Sequence, residues 1–316
     1  MDPSDRYTVT IYAAAPGTPL IDPRSPDASH QTSLTGHMYL KVAHGDDEQS
    51  MGWQPDKHVN DVLMGRVSPD DVGTYKDPHY ARTIKITQEQ YDKLREFSRA
   101  PAAYGFDPSY NAFWNGCTDF TWGALNHAGL HAKSLGVEFN NFEGIIQPTK
   151  NIPAIQSIEA PFPDSPLNKE DHNPMPKQTF EQWLYTSNDR ALGDQVSKGV
   201  ATLDAAHGRT PDEASERMCG SLFCLAKENG LSRVDHVLLS GPNAEGHTGT
   251  NVFVVQGEPS DPAHLRASMM TATAAQTPVH ESMAQAERLT QTQQQVAQQQ
   301  DHAQVQEQQA AAVRMG

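Results

Sequence analysis

The stretch Tyr110-Asn111-Ala112-Phe113-Trp114-Asn115-Gly116-Cys117-Thr118-Asp119-Phe120-Thr121-Trp122-Gly123-Ala124-Leu125 decides how this chain is read. A helix is predicted to begin at Cys117 and to run through Phe120, Ala124 and Leu125. Gly129 falls just past its end, where a left-handed residue is wanted. The thiol therefore sits in the first turn of a helix. Unpaired backbone N–H groups there carry partial positive charge, which favours the nucleophilic thiolate. The same N–H groups form a ready oxyanion site. Gly116 lets a substrate or another backbone approach closely. A free cysteine is otherwise a packing residue more often than a reactive one, so the reading needs a base within reach.

Upstream, the pattern is that of a sheet. Tyr7 to Ala13 alternates and is rich in β formers, and residues 35–43 read as a second strand. His44-Gly45-Asp46-Asp47-Glu48 is a turn, so Ser50 to Gln54 is expected back as a hairpin partner. Tyr80 to Ile86 is another strand. Between the first two lies a long loop, residues 16–31, with Pro16, Pro19, Pro23 and Pro26. His37, beside Gly36 in the second strand, is the candidate base. A strand histidine is often only a satisfied core or surface residue, so its partner decides. A third group to orient the imidazole stays open: Gln54 lies roughly opposite His37 in the hairpin, and His58 is a rival. Asp119, in the first helical turn, reads as a capping residue.

Downstream of these strands, Thr87-Gln88-Glu89-Gln90 is a capping box, with Tyr91, Leu94 and Phe97 on one helix face. Residues 148–176 are proline-rich and without period, and read as a linker or wrapping segment. A helix is predicted over about 191–206. Another starts at Thr210-Pro211-Asp212-Glu213, with threonine as cap and proline at the first helical position. It carries Met218, Leu222 and Leu225 and ends at Asn229-Gly230. Val234 to Ser240 and Asn251 to Gly257 read as strands, followed by a short helix from about Pro262. From Gln285 to Gly316, 12 of 32 residues are glutamine. Such a tail lacks the apolar surface for a core of its own and reads as disordered or as a frayed helix.

Composition narrows the function classes. The net charge is −15 without a strongly basic stretch, which argues against nucleic acid and anionic lipid as partners. The hydrophobic fraction is 37%, low for a fully packed chain. Three cysteines make no disulfide framework. Cys219 and Cys224 lie five apart on a predicted helix and read as core thiols. The scattered histidines show no metal-binding spacing, and no cofactor motif is present. Met1 to Arg6 lacks the basic and apolar regions of a signal peptide, so export is expected to use a dedicated route.

Two resemblances extend this reading. Gly36-His37-Met38-Tyr39 followed by Asn115-Gly116-Cys117-Thr118-Asp119-Phe120 resembles the circularly permuted NlpC-type papain-like cysteine hydrolases, over about residues 7–146. In that group histidine precedes cysteine and the cysteine starts a helix. The resemblance implies Cys117 as nucleophile and His37 as general base and acid. The second runs from Gly208-Arg209-Thr210-Pro211-Asp212-Glu213 through Asn229 to Ser240, Val252 to Gly257, Asp261 to Arg266 and Pro278-Val279, and includes the Gln-rich tail. It resembles the XVIPCD domain at the C-termini of toxins exported by the antibacterial type IV secretion system of Xanthomonadales. That implies recruitment to the coupling ATPase through residues 192–316. It also makes His236, beside Asp235, a strand residue and not a catalytic one.

The expected fold class is α+β: a papain-like domain over 1–147, a Pro-rich linker or wrapping segment over 148–190, a secretion domain over 191–284 and a tail over 285–316. The expected function is that of a secreted antibacterial toxin. Its Cys117 would hydrolyse an amide bond in peptidoglycan peptides in the periplasm of target bacteria, without metal or cofactor. A cognate immunity protein would protect the producer. Two other readings stay open: a lipid acyl-ester hydrolase or acyltransferase of the same superfamily, and a non-enzymatic binding toxin in which Cys117 is structural.

Overall fold

A computed structural model describes residues 6–21, 31–111, 115–134, 136–185, 187, 189–242, 244–293 and 295–296. The chain is α+β. It divides into two compact units, Met1–Gln178 and Thr179–Gly316.

The first unit is built on six antiparallel strands in the order β4-β3-β2-β1-β5-β8. These are β1 (Tyr7–Ala14), β2 (His37–His44), β3 (Asp47–Val59), β4 (Val62–Ser68), β5 (Tyr80–Lys85) and β8 (Lys169–His172). The expected strands are present, and the returning hairpin strand is longer than expected. It continues to Val59 and turns through Asn60 and Asp61, both at positive φ, into β4. Asparagine and aspartate tolerate that left-handed conformation better than other non-glycine residues, which is why a tight turn forms there.

Two helices cover one face of this sheet: α2 (Gln88–Arg99) and α3 (Cys117–His127). Thr87 caps α2 through the expected box, its side chain accepting from Gln90 N at 3.1 Å. Leu94, Phe97, Phe120 and Leu125 meet Val9, Ile11, Met38 and Leu40 in one buried cluster. Removing those side chains from water supplies the main driving force for this layer. Between the two helices the chain passes through a 3₁₀ turn, Pro101–Tyr104.

The proline-rich stretch, residues 148–176, belongs to the first unit. Pro148–Asn151 and α4 (Ile152–Ser157) lead Ile155 and Ile158 into the first core. Asn151 is fully buried and knits this turn to α3: it accepts from Trp122 Nε1 at 3.1 Å and donates to Ile145 O at 2.7 Å. β8 then pairs with β5. Short strands β6 (Ala132–Ser134) and β7 (Val137–Phe139) form a separate ribbon.

The second unit packs α5 (Phe180–Tyr185), α6 (Arg190–Ala206) and α7 (Glu213–Glu228) with a three-stranded sheet in the order β11-β10-β9. The strands are β9 (His236–Leu239), β10 (Asn251–Gln256) and β11 (Leu265–Met270). Two expectations are corrected here. The cap of α7 is Asp212, not Thr210: its carboxylate accepts from Ser215 N at 3.0 Å, and Ser215 donates to the buried Asp204 at 2.6 Å. Pro262 begins no helix. A turn follows it, then a third strand, and the helix α8 comes only at Thr271–Gln276.

The front of the glutamine-rich tail is helical over 279–293. Ala286 is buried there, and Thr290 accepts from Lys227 Nζ at 2.9 Å. Residues 297–316, the rest of the expected tail, lie outside the described residues.

Candidate active site

Three chain segments converge at one end of the first sheet. β2 opens at His37, which lies opposite Ala14 at the last rung of the β1–β2 ladder. Gly36, just before it, has φ +74°, and a side chain there would run into the Ala14 carbonyl. The turn into β2 thus depends on glycine. Cys117 is the first residue of α3. Thr121, one turn along, donates to Met38 O at 3.2 Å. That bond ties the helix carrying the cysteine to the strand carrying the histidine.

His37 and Cys117, predicted from sequence as a pair, are side by side, the thiol within hydrogen-bonding reach of the imidazole. The third contact comes from a residue the sequence reading passed over. Asp71, fully buried at the start of α1 (Asp71–Thr74), places Oδ1 3.2 Å from His37 Nε2. The distance is that of an ion pair. With Nε2 turned to Asp71, Nδ1 is the ring nitrogen left for Cys117.

Gln54 holds Asp71 from behind. Its Nε2 donates to Asp71 Oδ1 at 2.6 Å, and its Oε1 accepts from Arg66 Nη2 at 3.4 Å. Gln54 therefore orients the imidazole through the carboxylate and not by touching the ring. His58, the rival, is exposed beyond the register irregularity between Pro55 and His58. Asp119 Oδ2 accepts from Gly116 N at 2.8 Å, a capping contact at the start of α3.

Close packing fixes the pair. A Cβ on Gly52 would collide with Asp71 Oδ2 and stand 2.9 Å from His37 Nε2. Tyr75 stacks on the imidazole at 4.7 Å between ring centroids, and Tyr39 lies 5.5 Å away. Burial raises the pKa of the Tyr75 phenol, and the nearby Cys117 and Asp71 raise it further. For His37 burial acts the other way, towards the neutral ring. It is outweighed by Cys117 and Asp71, which push the imidazole pKa well above its ordinary value. The site thus favours the protonated imidazole, set between two groups that are anionic when deprotonated.

Asp71 left little trace in the sequence. It lies 34 residues after His37, in Ser68-Pro69-Asp70-Asp71, which reads as an ordinary turn and helix cap. Its signal is topological. Tyr39 pairs with Gly52, and Gly52 with Ser68, so the chain leaving β4 emerges two strands from His37.

The other candidate groups sit elsewhere. Cys219 and Cys224 are buried on α7, and burial pushes their thiols up to about 11 and about 12. Cys224 donates to Ser282 O at 3.1 Å. Asp235 accepts from Gly257 N at 2.6 Å and from Arg233, while His236 faces Glu258 at 3.9 Å. No group of histidine, cysteine and carboxylate side chains suited to a metal ion occurs among the described residues. No helix among them is long and apolar enough to cross a membrane.

The class set by fold and site is an α+β chain whose first unit carries a Cys–His–Asp constellation and whose second is a separate small domain. Residues 186–288 of that second unit match the family described as X-Tfes, XVIPCD. The match supports a type IV secretion effector C-terminal domain, a kind associated with recognition by the secretion coupling protein. No curated protein matches the chain.

Proposed function

We propose that this chain is an antibacterial effector whose first unit is a cysteine hydrolase acting on an amide bond of peptidoglycan peptides. Its second unit hands it to the type IV coupling ATPase. It is made in the cytoplasm, leaves through the type IV channel and acts in the periplasm of a rival cell, while an immunity protein protects the producer. The observation that carries the enzymatic reading is His37 set between Cys117 and the buried Asp71.

The chemistry follows from that order. The Cys117 thiolate attacks the amide carbonyl carbon, forming an S–C bond and a tetrahedral oxyanion. Cys117 N–H, at the first helical position, has no acceptor within its own helix and is placed to donate to that oxyanion. Gly116 N–H is not available for this role, because Asp119 holds it. The His37 imidazolium gives its proton to the leaving nitrogen, the C–N bond breaks and an acyl thioester remains. Neutral His37 then takes a proton from water as the water attacks the thioester. The acid product leaves and the thiolate–imidazolium pair is restored. Asp71 keeps the ring oriented and stabilises its charge. No metal or cofactor enters these steps.

The test uses purified peptidoglycan with mass spectrometry of the released muropeptides. The full chain is expected to yield amide-cleaved fragments, and the Cys117→Ala and His37→Ala chains none. Fatty-acid release from phospholipid with intact muropeptides would replace the substrate with an acyl ester. Periplasmic toxicity unchanged in both variants would remove the enzymatic reading altogether. The delivery half has its own measurement: deleting residues 192–316 should abolish binding to the coupling ATPase.

A further inference from the structure

The first unit has a second concave feature that neither Cys117 nor His37 lines. It is a cavity of about 560 Å³ beside α3, between that helix, the chain around Tyr104 to Asp107 and the loop at 140–143. Its size lies within the range of small-ligand sites.

The lining sorts the candidate occupants. Asp107, Asp119 and Glu143 line the space and no lysine or arginine does, so an anion would meet uncompensated negative charge. The three carboxylates stand on separate segments: the chain before α3, its first turn and the loop after β7. Asp119 already accepts from Gly116 N, and Asp107 accepts from Ser109 N at 2.8 Å. They form dispersed hydrogen-bond acceptors and not one seat for a single cation. Nor are they grouped as a metal ion would require among the described residues.

Amide side chains extend the set. Asn115 donates through Nδ2 to Asp107 O at 2.9 Å, which leaves its Oδ1 as an acceptor. Asn140 and Asn141 line the cavity from an exposed loop. Among these polar groups lie the rings of Tyr104, Phe106 and Phe142. Tyr104 is 43% exposed, although its ring rests 4.2 Å from that of His127. His127 Nε2 is buried without a hydrogen-bond partner among the described residues. A hydroxyl group satisfies that nitrogen in either tautomer, because it both donates and accepts. The ligand that suits this lining is neutral and carries several hydroxyls spread round a ring. It also has an apolar C–H face to set against the negative face of an aromatic ring. A pyranose has all of these properties.

We propose that this cavity is a saccharide-binding site, in which one neutral pyranose ring stacks on Tyr104 and its hydroxyls donate to the surrounding carboxylates and amides. The site holds the first unit to a glycan, and its binding does not depend on the cysteine chemistry proposed above.

The experiment is a calorimetric titration of the full-length chain with two neutral trisaccharides, cellotriose and tri-N-acetylchitotriose, at millimolar concentrations. Binding of both supports a site that reads ring and hydroxyls. Binding of the acetylated one alone supports it and narrows the ligand to an amino sugar. Affinity should not change between low and high salt, since the ligand carries no charge. Tyr104→Ala is expected to weaken binding about tenfold, the scale of one aromatic contact. Asn141→Ala should weaken it about threefold, the scale of one hydrogen bond. Both residues are exposed and lie outside the buried cluster, so the thermal midpoint should not move. No binding of either trisaccharide, affinity unchanged in both variants, or binding abolished by salt overturns the proposal. The two readings fail separately. Saccharide binding by a chain that releases no muropeptides would sink the hydrolase and leave this site standing, and muropeptide release without saccharide binding would do the reverse.

Discussion

The three cysteines sit in two helices, one in each unit, and their surroundings could hardly differ more. Cys117 begins α3, part-exposed, against a buried imidazole whose proton affinity is raised. Cys219 and Cys224 lie in the middle of α7, buried among Phe223, Leu222 and Val196. The first has an imidazole that favours its protonated form, partial exposure and the N-terminal end of a helix. The other two have apolar neighbours, and burial, helped by nearby carboxylates, pushes their thiols up to about 11 and about 12. A thiol's chemistry is thus set by where along a helix it falls and what faces it.

Alkylation tests that contrast with the largest expected effect. With a pKa of about 11, Cys219 is only about one part in 10⁴ thiolate at pH 7. Iodoacetamide should therefore label Cys117 about 10³-fold faster than either α7 cysteine in the folded chain, as read by peptide mass mapping over time. Comparable rates at all three would erase the distinction between the units.

Asp71→Asn comes next. It keeps the size of the side chain and removes the charge behind His37. Hydrolysis should fall by about 10²- to 10⁴-fold, the range set by losing the orienting carboxylate of such a triad. The pH profile should move as well. The His37 pKa is raised, so its proton persists through neutral pH and is lost on the alkaline side. Hydrolysis should decline there as the general acid disappears. The stability given by this ion pairing follows the same sign: fully present below the ordinary imidazole value of ~6.5, lost as pH rises through the raised native one. Asp71→Asn removes one of the raising causes, so its alkaline limb should lie at lower pH than that of the parent chain. A limb that stays in place would mean that Asp71 only packs against the ring.

Gln54→Ala acts one step further back and should cost less, about tenfold. It leaves the carboxylate and its charge in place and removes only the donor that aims it. Again the alkaline limb is the readout that a merely structural role would not move. Gly52→Ala should do more than Gln54→Ala, since its new methyl enters the space of Asp71 Oδ2 itself.

These residues mark how far the sequence could be read. Cys117 was legible because a glycine, a cysteine and, two residues on, a capping aspartate open a helix. His37 was legible as a histidine beside a glycine in an alternating strand. Both signals are local. Asp71 and Gly52 are not: they reach the site only because β3 and β4 form a long hairpin that brings residue 68 back opposite residue 52. The reading stopped that hairpin strand at Gln54 and so lost the strand that delivers the carboxylate. Gln54, by contrast, was one of two candidates left open as the orienting group, with His58, and its place one contact behind Asp71 depends on a residue that local pattern could not supply. The reading of 148–190 as a linker or wrapping segment could not choose between the two. Prolines break periodicity, yet Ile155 and Ile158 are buried within it, and an asparagine, Asn151, is fully buried. In the second unit the helices α6 and α7 followed their apolar stripes. β11 did not, because Leu265 and Met270 at its ends are exposed and only Ala267 is buried along it.

The smallest effect belongs to the α7 side of the comparison. Cys224 packs in the second core and donates to Ser282 O, in the helical segment that continues into the tail. Cys224→Ala removes one buried sulfur and one weak hydrogen bond, so the second unit should lose about 1–2 kcal/mol. Muropeptide release should not change, because no step of the proposed chemistry touches α7. The measurement is paired: thermal unfolding for the second unit, mass spectrometry for the first. A drop in hydrolysis with unchanged unfolding would reverse the assignment of roles, making the buried thiol of the delivery unit matter to the chemistry. Lost stability with full activity is the outcome expected if the reactive and the structural cysteine have been told apart by their neighbours.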